Sequence, residues 1–380
     1  MKKILIIAPT INQKRRYFTG LGMMIELFKR VMSSNYKCII CSITPCLSIN
    51  SSMPDLKIGN ASLLRCIEYV WLMLKSVVYI MLNYKSILYL CPAPTILGFR
   101  RDYILVKVAL LFKYKIVLQI FTGDMDRLYA SMKDDDKKKF KYIYDKAVFI
   151  PTEGNLEKQF FQSIVKEPVK VVAIDNALTE DRKDKTTQHK ILRNTIELLY
   201  LNNMIVSKGY WDVLKAVDIL VNKKHKDIKC NFVGRFIDDD KKQEQLFVEY
   251  IESHNLGNRV RYTAGAFGEC KKKFFEQSHF FMLPSYFPKE GKPTAILEAM
   301  SYGCVPIVTN YRQIPEMVNT DNGIFVEPQN ASDIVSKLEA IINKKDDYEL
   351  LSFNCLKDFE DRFTPEKYKE RMIKQFERFC

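Results

Sequence analysis

The chain has 380 residues, 47% apolar and 27% charged with both signs mixed, which describes a globular protein with ample core and leaves room for two domains. Its net charge is +14, and the excess is one-sided: residues 1–175 hold 27 Lys and Arg against 14 Asp and Glu, while the remainder is nearly neutral. A basic half points to an anionic partner, whether nucleic acid, an acidic membrane surface or a phosphorylated substrate; a dispersed solubilising surface is the plainer alternative.

The opening MKKILIIAPT has too short an apolar run for a signal peptide and reads as a first strand. Further strands are expected at 38–43, 87–91, 116–121, 147–151 and 169–174, with helices at 23–32, 62–82, 103–112, 126–144 and 153–163. The most apolar stretch, 69–82, is broken by Lys75 and falls short of the roughly 20 residues a spanning helix needs. It reads as a buried or interface-lying helix, and no transmembrane segment is expected. Short apolar runs alternating with helices predict a parallel sheet covered on both faces. The polar segment 179–189 lacks apolar periodicity and reads as a linker. The alternation then restarts, with strands at 196–201, 228–233, 260–263, 280–283, 305–308 and 325–327. Helices are expected at 209–221, 240–254, 271–277, 294–300, 331–342 and 365–379.

The predicted fold is α/β: two doubly wound, Rossmann-like domains, 1–176 and 190–363, with a last helix, 364–380, packing back on the first. Such sheets place ligand loops at the carboxyl ends of their strands, and a ligand would lie between the facing ends. Ten cysteines with no signal peptide suit free thiols in a reducing cytoplasm. Cys38 and Cys41 form a CxxC without a second pair, and His189, His225, His254 and His279 show no ligand spacing, so no metal site is expected.

Three loops of the second domain carry chemistry. Asn203 to Lys208-Gly209 follows a strand and leads into a helix, where a Lys beside a Gly can meet a phosphate with charge and backbone N–H. Gly234-Arg235 ends the next strand, and a glycine there lets backbone approach a ligand. The third loop is Glu290-Gly291-Lys292-Pro293-Thr294, followed by Glu298 on the second turn of the helix. Its amides and the helix dipole suit an anion, and Glu298 suits a vicinal diol such as ribose. Taken singly, each is also explained as a surface turn or an ordinary helix charge.

Pro284-Ser285, Glu290-Gly-Lys-Pro293, Glu298 with seven residues between the two carboxylates, Ile314-Pro-Glu316 and Asn322-Gly323 together resemble the donor site of retaining family 4 glycosyltransferases of the GT-B fold. The resemblance is specific in the C-terminal half and looser before it. It implies a nucleoside-diphosphate-sugar donor, UDP-linked before GDP-linked, bound without a cofactor or metal. Lys208 would neutralise the diphosphate, amides of Gly291 to Thr294 would cradle phosphate or sugar, Glu290 would hold a sugar hydroxyl and Glu298 the ribose. Gly234 and Arg235 would lie near the nucleotide, and Lys208 and Glu290 would be the catalytic pair.

Two positions depart from that pattern. Asn203 stands where the family has an Arg five residues before the Lys, removing one cation. Gln119 and Phe121 stand where a His is usual. The Asp runs 134–136 and 238–240 read as solvated helix starts rather than a metal-binding DxD.

For the acceptor, the resemblance points to the glycine loop Lys14-Arg15-Arg16 to Gly20 and Gly22, and to Gly123-Asp124. Its cations suit a polyprenyl-diphosphate-linked saccharide. The reading is a cytoplasmic, membrane-peripheral hexosyltransferase of O-antigen or capsule assembly, docked on anionic lipid. A sugar-nucleotide epimerase and a non-catalytic partner protein on the same fold stay open. Nucleic acid is not an expected partner, for no basic-aromatic motif accompanies the charge.

Overall fold

In this computed structural model the described residues are 1–11, 20–44, 63–178, 188–237 and 241–380. Most of the expected linker, the 238–240 acidic run and the cations Lys14, Arg15 and Arg16 lie outside them. The chain divides into two compact units: unit 1 is Met1–Glu180 with Pro365–Cys380, and unit 2 is Asp181–Thr364.

Unit 1 alternates β1 (Lys3–Ala8), α1 (Gly20–Met32), β2 (Lys37–Ser42), α2 (Leu63–Leu82), β3 (Ile87–Leu90), α3 (Ile96–Leu111), β4 (Lys115–Leu118), α4 (Met125–Ser131), α5 (Asp134–Lys146), β5 (Ile150–Thr152), α6 (Asn155–Ile164) and β6 (Val171–Ala173). The first four strands form a parallel sheet in the order β2-β1-β3-β4. The parallel pair β5-β6 continues it through bridges Val117–Phe149 and Ile120–Thr152. Side chains alternate across this sheet with the strand period of two. Leu5 and Ile7 enter a core shared with Ile80, Phe99 and Phe140, while Ile4, Ile6 and Ala8 enter one shared with Phe28 and Phe376. Both faces are covered, so the strands read as unbroken apolar runs.

Unit 2 runs β7 (Ile196–Leu201), α7 (Tyr210–Asp218), β8 (Ile228–Val233), α8 (Lys241–Ser253), β9 (Val260–Thr263), α9 (Gly268–Gln277), β10 (Phe280–Leu283), α10 (Thr294–Ser301), β11 (Val305–Thr309), β12 (Ile324–Val326), α11 (Ala331–Ile342) and α12 (Lys345–Arg362). Its parallel sheet has the order β12-β11-β10-β7-β8-β9. The chain winds outward from β7 through β8 and β9, then restarts at β10 on the other side. The topological switch point therefore falls between β7 and β10. The last helix, α13 (Pro365–Phe379), returns to unit 1 against α1. Its Phe376 is fully buried and packs against Phe28, Tyr36, Tyr89 and Phe149.

Several elements differ from the sequence expectation. Helix α1 starts at Gly20, so Gly20 and Gly22 sit in its first turn rather than in a loop. The helix expected at 126–144 is two, α4 and α5, parted by Met132 and Lys133 in extended backbone. Helix α3 begins at Ile96, where Thr95 accepts the Gly98 N–H as an N-cap, earlier than the apolar spacing suggests. Helix α12 was not expected. Its buried stripe Tyr348, Ser352, Cys355, Phe359 has helical spacing, but Ser352 interrupts the apolar pattern and Leu350 and Phe353 point outward.

His279 precedes β10, and its Nδ1 accepts the Glu197 N–H at 3.0 Å. Burial, then the Lys190 and Arg193 charges, push its pKa down from 6.5 to about 4. A His held neutral by folding contributes stability fully present above the unfolded value and lost as pH falls from 6.5 towards about 4. Urea unfolding of the wild type should therefore lose stability through that window more steeply than a His279→Asn variant; parallel slopes would show that His279 does not link folding to pH.

Candidate active site

The carboxyl ends of β7 and β10 meet at the switch point of unit 2, and the loops leaving them are knitted together. After β7 the chain makes a short 3-10 turn, Val206–Lys208, that closes at Gly209 with φ of +84°. A side chain at Gly209 would be strained by that φ, and its Cβ would lie 2.4 Å from the Pro284 carbonyl oxygen. Glycine thus lets the first loop rest on the second. The Tyr286 N–H donates to the Ser207 carbonyl at 2.8 Å and fixes their register.

This junction buries an ion pair. Lys208 Nζ donates to both oxygens of Glu290, at 2.7 and 2.8 Å, with the two side chains 11% and 4% exposed. Ser285 Oγ also donates to Glu290 Oε2, and the Phe287 ring lies 4.8 Å from the Lys208 ammonium. Thr309, at the end of β11, donates to the Ser285 carbonyl, and Arg312 Nε donates to the Glu290 carbonyl at 3.2 Å. Two charges leave water here, and multiple short hydrogen bonds offset that cost.

The loop between Glu290 and α10 is anchored by a second pair. Lys292 Nζ lies 3.1 Å from Glu316, in the Ile314-Pro-Glu316 turn, with the lysine side chain 2% exposed. Lys292 therefore turns inward to hold the loop. Helix α10 follows with Pro293 as its N-cap residue and no side-chain cap bond, and Thr294 opens it half-buried. Its first turn contributes amides of the kind that receive anions. Glu298 is on the second turn, paired at 2.5 Å with Lys271 of α9.

The third loop lies beside these. A Cβ at Gly234 would fall 1.8 Å from the Asn202 carbonyl oxygen, so only glycine permits the contact with the β7 loop. Arg235 is exposed and its Nε donates to the Ala264 carbonyl at 3.4 Å. Asn203 is exposed, and its carbonyl accepts from Tyr200 Oη at 3.1 Å.

Lys208 and Glu290 are thus brought into direct contact, while Gly234, Asn203 and Arg235 line the neighbouring strand ends. Glu298 and Lys292 are each engaged by a charge that sequence spacing does not reveal, Lys271 and Glu316. Lys271 is 27 positions before Glu298, and only the packing of α9 beside α10 joins them. Ser285 was legible as the residue after a strand-end proline, without its role. In unit 1, Gly20 and Gly22 open α1, and Gly123 and Asp124 lead into α4. Asp124 is buried, with Arg127 at 3.8 Å from its carboxylate. Gln119 is also buried; its Oε1 accepts from Tyr89 Oη at 3.0 Å, which commits that side chain to the core of unit 1.

Among the described residues, no group of three His, Cys, Asp or Glu could hold a metal ion, and no helix is long and apolar enough to cross a membrane.

The family model described as glycosyl transferases group 1 matches residues 181–354, within unit 2, and the chain has the GT-B fold. The chain is similar to the capsular polysaccharide biosynthesis glycosyltransferase CapM of Staphylococcus aureus, 21% identical over 201 residues, which is 53% of this chain and 50% of CapM. The match thus spans about half the length of that relative. Among solved structures, a glycosyltransferase from Rickettsia africae superposes with a TM-score of 0.74 at 17% identity, covering 100% of this chain and 98% of the other. Anabaena HepE, solved in complex with UDP and glucose, superposes at 0.68 and 11% identity, covering 99% of each.

Removing one member of the buried pair strands the other charge. Lys208→Ala should destabilise unit 2 by about 3–5 kcal/mol in urea unfolding, and adding Glu290→Gln to a Lys208→Met variant should recover most of the loss. A single Lys208 variant within about 0.5 kcal/mol of wild type would show that the pair is not formed in solution.

Proposed function

We propose that the chain is a retaining glycosyltransferase that moves a sugar from a UDP-sugar to a saccharide acceptor, carried on a lipid diphosphate, in the assembly of a bacterial surface polysaccharide. The observation that carries this reading is the buried Lys208–Glu290 pair, set beside the α10 amides at the switch point of a glycosyl transferases group 1 domain. The capsular role of CapM and the UDP bound to HepE support the pathway class and the nucleotide.

In this reading the diphosphate enters between Lys208 and the first turn of α10. The ammonium, now held by Glu290, turns to the phosphate oxygens, and Glu290 is released to a sugar hydroxyl. Glu298 takes the ribose diol. The acceptor hydroxyl oxygen bonds to the anomeric carbon as the bond to the diphosphate breaks on the same face. The electron pair leaves with the nucleotide, and the hydroxyl proton passes to the departing phosphate oxygen. Lys208 and the helix amides stabilise the charge that develops there, so the step uses no metal and no protein nucleophile. Unit 1 holds the acceptor, through the first turn of α1 and the Gly123-Asp124 loop.

A second reading, a non-catalytic partner protein on the same fold, is favoured by two observations: Asn203 carries no charge, and Gln119 is locked into the core of unit 1. Thermal unfolding with a panel of nucleotide sugars separates the two. Donor at a hundred times its dissociation constant should stabilise the enzyme by about 2.7 kcal/mol. Turnover per folded molecule should fall about 10²–10³-fold in Lys208→Met and strongly in Glu298→Ala. No nucleotide sugar raising the melting temperature would favour the partner protein, and wild-type turnover in both variants would remove the site assignment. Donor consumption without any acceptor would point instead to an epimerase.

A further inference from the structure

Helix α2 packs one face on unit 1 and, among the described residues, leaves the other uncovered. Leu72, Ser76 and Ile80 are buried, and Ser76 reaches Cys41 of β2. On the opposite face Ile67, Val70, Trp71, Leu74, Val78, Met81 and Leu82 are all exposed, with Trp71 at 55%, Leu74 at 56% and Leu82 at 73%. At 3.6 residues per turn these seven fall within about 120° of arc, one continuous apolar stripe. A stripe of that extent on a protein surface marks an interaction site.

The adjoining helix α3 supplies a different surface. Its outward residues Leu97, Arg100, Ile104, Lys107 and Leu111 alternate apolar with basic. Tyr69 of α2 donates to the Leu97 carbonyl at 2.8 Å, which ties the two helices together. Between residues 63 and 118 the chain has two acids, Glu68 and Asp102, and both are buried. Asp102 is engaged by Arg101. Arg100 meets the buried Asp136 of α5 at 3.3 Å but stays 59% exposed, so among the described residues the outward surface of α2 and α3 is apolar and basic with no exposed acid of its own. Lys75 and Lys107 lie 5.4 and 5.7 Å from the Trp71 and Tyr103 rings, at the margin where apolar body and cationic head meet.

We propose that the outward faces of α2 and α3 dock unit 1 on an anionic bilayer, with the α2 stripe lying in the headgroup–acyl boundary and the cations of α3 against lipid phosphates. The chemistry is that of an interfacial amphipathic helix rather than a span, because the inner face of α2 is already occupied by the protein core. Charge selects lipid over a second copy of the chain: a two-fold contact through this surface would set basic α3 faces near each other, and the one acid beside them, Asp136, is buried and shared between Arg100 and Lys139. The inference deepens the reading of a lipid-borne acceptor, and its test reads binding alone, so its failure leaves sugar transfer untouched.

The full chain is sedimented with phosphatidylcholine vesicles, with and without phosphatidylglycerol. A Trp211→Phe background makes Trp71 the sole tryptophan. Binding should require the anionic lipid, Trp71 emission should shift to the blue, and brominated acyl chains should quench it. Trp71→Ser with Leu74→Ser and Val78→Ser should lower partitioning about tenfold or more at an unchanged melting temperature, since all three side chains are exposed. Equal partitioning of wild type and triple variant, or Trp71 emission indifferent to vesicles, would overturn the proposal. A wild-type dimer that the triple substitution turns into a monomer, with vesicle binding unaltered, would assign the stripe to self-association and overturn it equally.

Discussion

A lysine and a glutamate held together out of water set the terms for unit 2. Lys208 and Glu290 come from loops 82 positions apart, and neither charge is tolerable without the other. Their contact requires the β7 loop to lie on the β10 loop, which in turn requires a glycine at 209 and the Ser207–Tyr286 backbone bond. Ser285, Thr309 and Arg312 hold the carboxylate segment from three sides, so the pair is the centre of a small network rather than an isolated bridge. Such a network is rigid, and its charges are available to a ligand of matching charge without first being assembled.

The sheet explains why the network stands there. Winding outward from β7 in one direction and from β10 in the other leaves a gap at the carboxyl ends of those two strands, and backbone amides and loop side chains converge on it. The α10 N-terminus opens at the same edge, with Lys292 drawn inward to Glu316 to hold its approach. Fold and site are thus linked through topology: another strand order would separate Lys208 from Glu290 even with every local motif intact.

Much of this was legible in the residues. Continuous apolar strands such as Leu198–Tyr200 and Phe280–Leu283 announce a doubly covered parallel sheet, and Glu290 to Glu298 announces a loop leading into a helix. Partners set by tertiary packing were not legible. Lys271 meets Glu298 and Glu316 meets Lys292 only because helices and turns distant in sequence are adjacent in space. Gln119 shows the same limit from the other side, since nothing local says whether a polar strand-end residue faces a ligand or, as here, a buried tyrosine. Helix α12 was hidden by a serine in its buried stripe, a polar group satisfied by the Gly303 carbonyl and the Lys190 N–H. The apolar content of α2 was plain in the sequence, yet its division into a buried face and an exposed face needed the packing on β2.

The central claim is that the Lys208–Glu290 pair is the ligand-free state of a donor diphosphate site. A crystal structure with bound UDP addresses it most directly. The account predicts Lys208 Nζ within hydrogen-bonding distance of a phosphate oxygen, drawn away from the 2.7 Å contact with Glu290, and the ribose on Glu298. A diphosphate bound elsewhere, with the pair undisturbed, would contradict it.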